Sequence, residues 1–257
     1  MIKSPVSIGG LRKLIKELDA AGRDWLPIAV GGATEIARTL ERELTRGGDA
    51  AAVRIGSPKE AAVYVHIATG DDEAALKAAR RARVPIVAVS FGEEELPFVY
   101  ATDVVQVGPG ERLPVDRVAG AIAARLGEDG VPLAARLPVL RRAVCNRIVA
   151  SFARKNGLAA VALFVPGADL PVLALNQVRM LLLLDQAYGL ELDPRQRLPE
   201  IVATVGAGLG LRAVARELLD LVPVAGWAVK GGVAYAGTRA LGEAGIKRLE
   251  AVHGAHL

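Results

Sequence analysis

Ala61-Ala-Val-Tyr-Val-His-Ile-Ala68 and Val84-Pro-Ile-Val-Ala-Val89 are two nearly uninterrupted apolar runs with a polar, helix-spaced stretch between them. A strand that faces water on one side alternates apolar and polar residues. A run without alternation is covered on both faces, as in parallel sheets sandwiched by helices. Working outward, Leu26-Pro-Ile-Ala-Val30, Ala51-Ala-Val-Arg-Ile55 and Asp103-Val-Val-Gln-Val107 add three more such runs. Helix signals fill the gaps. Thr34 stands where it can cap a helix over 35–45 that stops at Gly47-Gly48. Asp71 or Asp72 precedes a helix reaching Arg83, 93–100 reads as a short helix, and 115–126 as a longer one. The alternation predicts a doubly wound α/β domain with a mostly parallel sheet over residues 24–128.

On the N-terminal side, 8–22 reads as an amphipathic helix, with Leu11, Leu14, Ile15 and Leu18 on one face. On the C-terminal side the strand rhythm stops. Residues 129–136 read as a linker, and 137–250 as an all-helical domain followed by a short tail. Its first helix, 137–155, carries a basic face of Arg141, Arg142, Arg147, Arg154 and Lys155. A very apolar helix follows over 171–188. A helical hairpin then runs over 198–221 and 224–249, turning at Pro223-Val-Ala-Gly-Trp227.

Composition narrows the function classes. Of 257 residues 52% are hydrophobic but only 4% aromatic, so the apolar content is mainly Ala, Val and Leu. Together with a mean hydropathy of +0.32, this suits helices packed through small side chains and is compatible with membrane contact. The net charge of +4 permits attraction to anionic surfaces without demanding it. Cys145 is the single cysteine, which rules out an intrachain disulfide. Residues 1–10 lack the apolar core of a secretory signal, so the expected place is the cytoplasm or the cytoplasmic face of a membrane. No charge-free stretch approaches the roughly 20 residues of a membrane span, although a hairpin lying in the interface remains open.

The turn after the first strand is where such a domain binds phosphate. It reads Gly31-Gly32-Ala33-Thr34-Glu35. Two glycines allow a tight turn, but no lysine reaches outward and Glu35 places negative charge where a phosphate would sit. Gly31, Gly32 and Thr34 are therefore cofactor-binding candidates only if the chain is an unconventional nucleotide-binding protein. The favoured reading has no cofactor.

From residue 61 onward the order of elements resembles the second half of Era-like GTPases, with the chemical residues replaced. Ala68-Thr69-Gly70-Asp71 stands at the D-x-x-G position, Ser90-Phe91-Gly92-Glu93 at the guanine-reading N-K-x-D, and Val107-Gly108-Pro109-Gly110 at S-A-K-x-G. In the helical half, Pro166-Gly-Ala-Asp-Leu-Pro171, Asn176-Gln-Val-Arg-Met180, Ala187-Tyr-Gly189 and 206–216 resemble the YcjF-like family of unknown function. The turn 223–227 and Thr238-Arg-Ala-Leu-Gly242 complete that likeness. The resemblance implies a degenerate GTPase-type domain followed by a membrane-associated helical domain.

Asp169, Asn176, Gln177 and Arg179 form the densest polar group in an apolar setting, although capping of the helix after it is the simpler role for Asp169. With Arg212, Arg216 and Trp227 they are the candidate interaction residues. Small residues recur at i, i+4 in Gly206/Gly210, Ala228/Gly232 and Gly232/Ala236, which lets helices approach closely in a membrane or in a soluble hairpin. His66 reads as a lone core histidine, and His253 and His256 have no metal partners in view. The expected function is a non-catalytic, membrane-associated scaffold with a pseudo-GTPase domain. Its partner is a membrane surface or a protein, not nucleic acid. The alternatives are an unconventional nucleotide-binding protein and a soluble homo-oligomer.

Overall fold

The computed structural model describes residues 8–92, 95–162, 169–192 and 226–254. Five parallel strands form one sheet: β1 (Ile28–Gly32), β2 (Val53–Ile55), β3 (Val63–Ile67), β4 (Ile86–Ser90) and β5 (Val104–Gln106). Their spatial order is β2-β1-β3-β4-β5, an order of doubly wound sheets in which the direction of winding reverses between β1 and β3. The register sets Ala29 beside Tyr64, and Gly31 beside His66.

Both faces of the sheet are covered, which is why the strands are continuously apolar. Helices α2 (Thr34–Thr45) and α4 (Val115–Leu126) share one face. There Leu40, Leu44, Val118 and Ile122 are fully buried, each side chain contributing about 1.5–3 kcal/mol of burial. Helix α3 (Glu73–Arg81) covers the other face, where Leu76 and Ala79 pack on Ala29, Tyr64 and Ile86. The crossover from β2 to β3 has no helix. Loop 56–62 passes beneath β1 instead, with Ala62 N–H donating to the Pro27 carbonyl at 2.9 Å. The Arg54 guanidinium props this loop by donating to the carbonyls of Ser57 and Lys59.

The chain divides into two compact units, and the division is not the one read from composition. The α/β unit comprises 21–147 and 187–189; the other unit comprises 1–20, 148–186 and 190–257. Residues 129–136 are no linker. They complete a short turn and form helix α5 (Val131–Arg136), with Val131, Leu133 and Ala134 buried. Between β4 and β5 a helix is expected over 93–100, and the described part of that segment, 95–100, is not helical. The described residues 95–100 contain a turn at Pro97-Phe98 before a single 3₁₀ turn, Ala101–Asp103. Proline at the second position stops a helix from running through.

The helical unit contains most of α1 (Ile8–Arg23), the second part of α6 (Pro138–Ala162), α7 (Asp169–Ala187) and α8 (Gly226–Gly254). Among the described residues no helix is long and apolar enough to cross a membrane. The arm expected over 198–221 lies outside the described residues, as do Gly206 and Gly210. The small-residue seam of α8 is shifted by one from the expected Gly232/Ala236 row, which is exposed. It runs through Gly231, whose missing Cβ leaves room for Val161 and the Gly157 carbonyl, and Gly242, which lies against Val149.

This seam makes a paired prediction. Gly242→Ala drives a methyl into the stiff, branched Val149 side chain and is expected to cost about 1–3 kcal/mol. Gly232→Ala meets nothing within 4 Å and is expected to be neutral or to stabilise by up to about 1 kcal/mol. Thermal denaturation of the two variants checks both signs.

Candidate functional site

In an open parallel sheet ligands bind beyond the carboxyl ends of the strands, where the winding reverses. Here that place lies between the end of β1, Gly31-Gly32, and the end of β3, which continues as Ala68-Thr69-Gly70-Asp71-Asp72. The parallel register brings these two loops side by side, and three titratable side chains gather beneath them.

Tyr64 and His66 are two residues apart on β3 and therefore share one face, the face covered by α3. The Tyr64 hydroxyl lies 3.1 Å from Nδ1 of His66, and Nε2 of His66 lies 2.8 Å from Oδ1 of Asp72. All three are buried. One arrangement satisfies every atom: Tyr64 donates to Nδ1, and Nε2–H donates to the carboxylate. The Asp72 carboxylate accepts further hydrogen bonds from Thr69 N–H at 2.9 Å, Gly70 N–H at 3.1 Å and the Thr69 hydroxyl at 2.6 Å. Asp72 occupies the cap position of α3 but makes no capping bond to the helix; its carboxylate serves the preceding loop.

Burial pushes the Asp72 carboxyl upward. The donors from Thr69, His66 and Gly70 outweigh that, and the group is held below the usual carboxylate range. Burial, followed by the nearby Asp72 charge, pushes the Tyr64 hydroxyl up to about 12. Tyr64 is thus a proton donor throughout the physiological range.

The Gly31-Gly32 pair follows from this packing. A Cβ on Gly31 would overlap the Tyr64 ring and hydroxyl. Gly32 has φ +93°, and a Cβ there would run into the Ile67 carbonyl. Ala33 N–H, which a phosphate loop would present to its ligand, donates to that carbonyl at 3.2 Å. Thr34 is the first residue of α2 and is exposed, while Ala33 takes the cap position; no side-chain capping bond forms, contrary to the role expected of Thr34.

The other candidates separate. Asn176 and Gln177 join a polar bridge across three helices. Asn176 Nδ2 donates to Asn156 Oδ1 at 2.8 Å, Asn156 Nδ2 donates to Thr238 Oγ1 at 2.9 Å, and Thr238 closes the chain onto the Ala234 carbonyl at 2.8 Å. Gln177 approaches the same hydroxyl at 3.4 Å. Arg179 lies half-buried on α7. Asp169 is the first residue of α7 and Trp227 lies in the first turn of α8. Arg212 and Arg216 lie outside the described residues. Among the described residues no cluster of His, Cys, Asp and Glu could hold a metal ion. Cys145 is buried in α6. His66 is not the isolated residue that its strand suggested. Tyr64 is visible as its same-face neighbour, whereas Asp72 is reached only by the turn through Thr69-Gly70.

Two titrations follow. A folded-state carboxyl held low contributes stability that is complete above the ordinary range, near pH 4, and is lost as pH falls through the depressed value. Asp72→Asn is therefore expected to flatten the acid limb of a stability–pH curve. Asp72→Ala, which strips partners from His66 and two backbone N–H groups, is expected to cost about 1–3 kcal/mol at neutral pH. A hydroxyl held high contributes stability that is complete below pH 10 and lost as pH rises towards about 12. In an alkaline absorbance titration one of the four tyrosines should ionise late, and Tyr64→Phe should remove that component.

Comparison with protein-family models, curated proteins and solved structures returns no match to this chain.

Proposed function

We propose that the chain is a non-catalytic interaction protein whose α/β unit has the frame of a nucleotide-binding domain but uses its ligand crevice for its own packing. The observation that carries this reading is the fate of the backbone donors at the switch point. Ala33 N–H is spent on Ile67, and Thr69 and Gly70 N–H are spent on Asp72. A phosphate arriving there would have to displace a buried carboxylate and then lie beside it, with Glu35 exposed in the first turn of α2. Among the described residues, the partners of the Asp72 carboxylate are His66, Thr69 and Gly70, none of them a cation that would attract phosphate.

The finer reading is a pseudo-GTPase domain joined to a YcjF-like helical domain that sits at the cytoplasmic face of a membrane. It rests on the replaced loop motifs and on the segments around 166–180, 206–216 and 223–242. The small-residue seam of α8 and the low aromatic content suit a helical unit that packs tightly, with a membrane or a protein as its partner.

Calorimetric titration of the full chain with GTP, ATP and NAD is expected to show no binding, and saturable micromolar heat with any of them would overturn the non-catalytic reading. Flotation with liposomes containing anionic lipid is expected to carry the protein upward; protein left wholly in the dense fraction would remove the membrane part and leave a protein partner.

A further inference from the structure

The opposite end of the α/β unit, where α3 and α4 finish, gathers a different set of residues. Helix α3 closes with Val84 N–H donating to the Ala79 carbonyl and Arg83 N–H to Arg80. This is a Schellman closure, whose left-handed position belongs by default to glycine. Arg83 stands there instead, at φ +58°. Downstream, Val99 N–H donates to the Leu96 carbonyl at 3.3 Å across Pro97-Phe98. Proline followed by a residue with positive φ describes a type II turn, whose third position again favours glycine. Phe98 stands there at φ +69°. Each non-glycine residue in this region costs roughly 1 kcal/mol or more, and such strain collects at functional positions.

The strained residues lie in a basic, aromatic patch. The Arg80 guanidinium sits over the Phe98 ring, 5.5 Å from its centroid. Two residues along, Tyr100 is 66% exposed and the Arg125 guanidinium sits over its ring at 5.8 Å. Arg80, Arg81 and Arg83 are exposed. Among the described residues, the one carboxylate paired with this set is the buried Asp103, 3.3 Å from Arg125. The dipole of α3 accounts for cations in its last turn. It does not account for arginine and phenylalanine at two glycine positions, nor for both exposed rings being roofed by guanidinium groups.

We propose that this edge is a docking surface for an acidic segment of a protein partner. It rests on the reading of the α/β unit as an interaction module. An arginine guanidinium can grip a carboxylate at two points and is more weakly hydrated than an ammonium, so the exposed Arg80, Arg81 and Arg83 suit an acidic segment. A basic, aromatic edge attracts anions of any kind, and the packing chooses among them. Stacking of nucleic-acid bases needs open ring faces, and here arginine sits on each ring. Insertion into lipid needs apolar side chains projecting freely, whereas both rings lie beneath charge.

The test is fluorescence anisotropy of the full chain with a labelled peptide rich in Asp and Glu, beside a Gly/Ser peptide of equal length. The acidic peptide is expected to bind with micromolar affinity that weakens with salt. The variant Arg80→Gln/Arg81→Gln/Arg83→Gln is expected to lose about tenfold or more. Arg83→Gly relieves the backbone, so it should weaken binding severalfold while the melting temperature holds or rises. Absence of wild-type binding, or affinity unchanged in the triple variant, would overturn the proposal. So would arginine-dependent binding of phosphatidylserine vesicles or single-stranded DNA as tight as that of the peptide. Nucleotide titration of the same sample reports separately on the non-catalytic reading, which survives a failed peptide titration.

Discussion

Asp72 ties together the end of the sheet, the loop after β3 and the start of α3. Its carboxylate is buried, so it must find donors, and it takes them from Thr69, Gly70 and His66. Much else follows from that requirement. His66 is fixed at Nε2, which orients Nδ1 towards Tyr64. The Tyr64 ring then fills the space above β1 that any side chain on residue 31 would need. The turn after β1 is shaped by a hydrogen-bond chain inside the protein, and the residues that look most like a phosphate loop are those that make room for it.

The chain therefore has two ends of opposite character on one sheet. At the carboxyl end, donors are turned inward and satisfied. At the other end, Arg83 and Phe98 hold positive-φ backbone, and the Arg80 and Arg125 guanidinium groups lie over the Phe98 and Tyr100 rings. A buried, satisfied polar network rigidifies and specifies a fold; an exposed, strained and charged edge is where recognition is expected. The helical unit repeats the first pattern, with Asn156, Asn176 and Thr238 bridging α6, α7 and α8 and Gln177 beside them.

The sheet was legible in the sequence because burial on both faces leaves a direct trace: Val63 to Ile67 and Ile86 to Ser90 have no solvent side. Elements failed to show where local composition and tertiary burial disagree. Residues 129–136 read as a linker, yet Val131, Leu133 and Ala134 within them are core residues. Leu96-Pro-Phe-Val99 is apolar enough for a helix, but the proline turn and the packing of Leu96 and Val99 beside α3 decide otherwise. On α8, Gly231 and Gly232 are equivalent in sequence, and only the position of the neighbouring helix selects Gly231. The partnership of His66 with Asp72 spans a turn whose path no periodicity encodes.

The closed crevice requires the switch-point donors to be occupied from within. Amide NMR of the full chain tests this directly, by following Ala33, Thr69 and Gly70 during titration with GTP and Mg²⁺, and then with inorganic phosphate. These three amides are expected to exchange slowly with solvent and to keep their shifts throughout both titrations. Saturable shifts confined to them, with exchange as fast as in an open loop, would contradict the closed crevice.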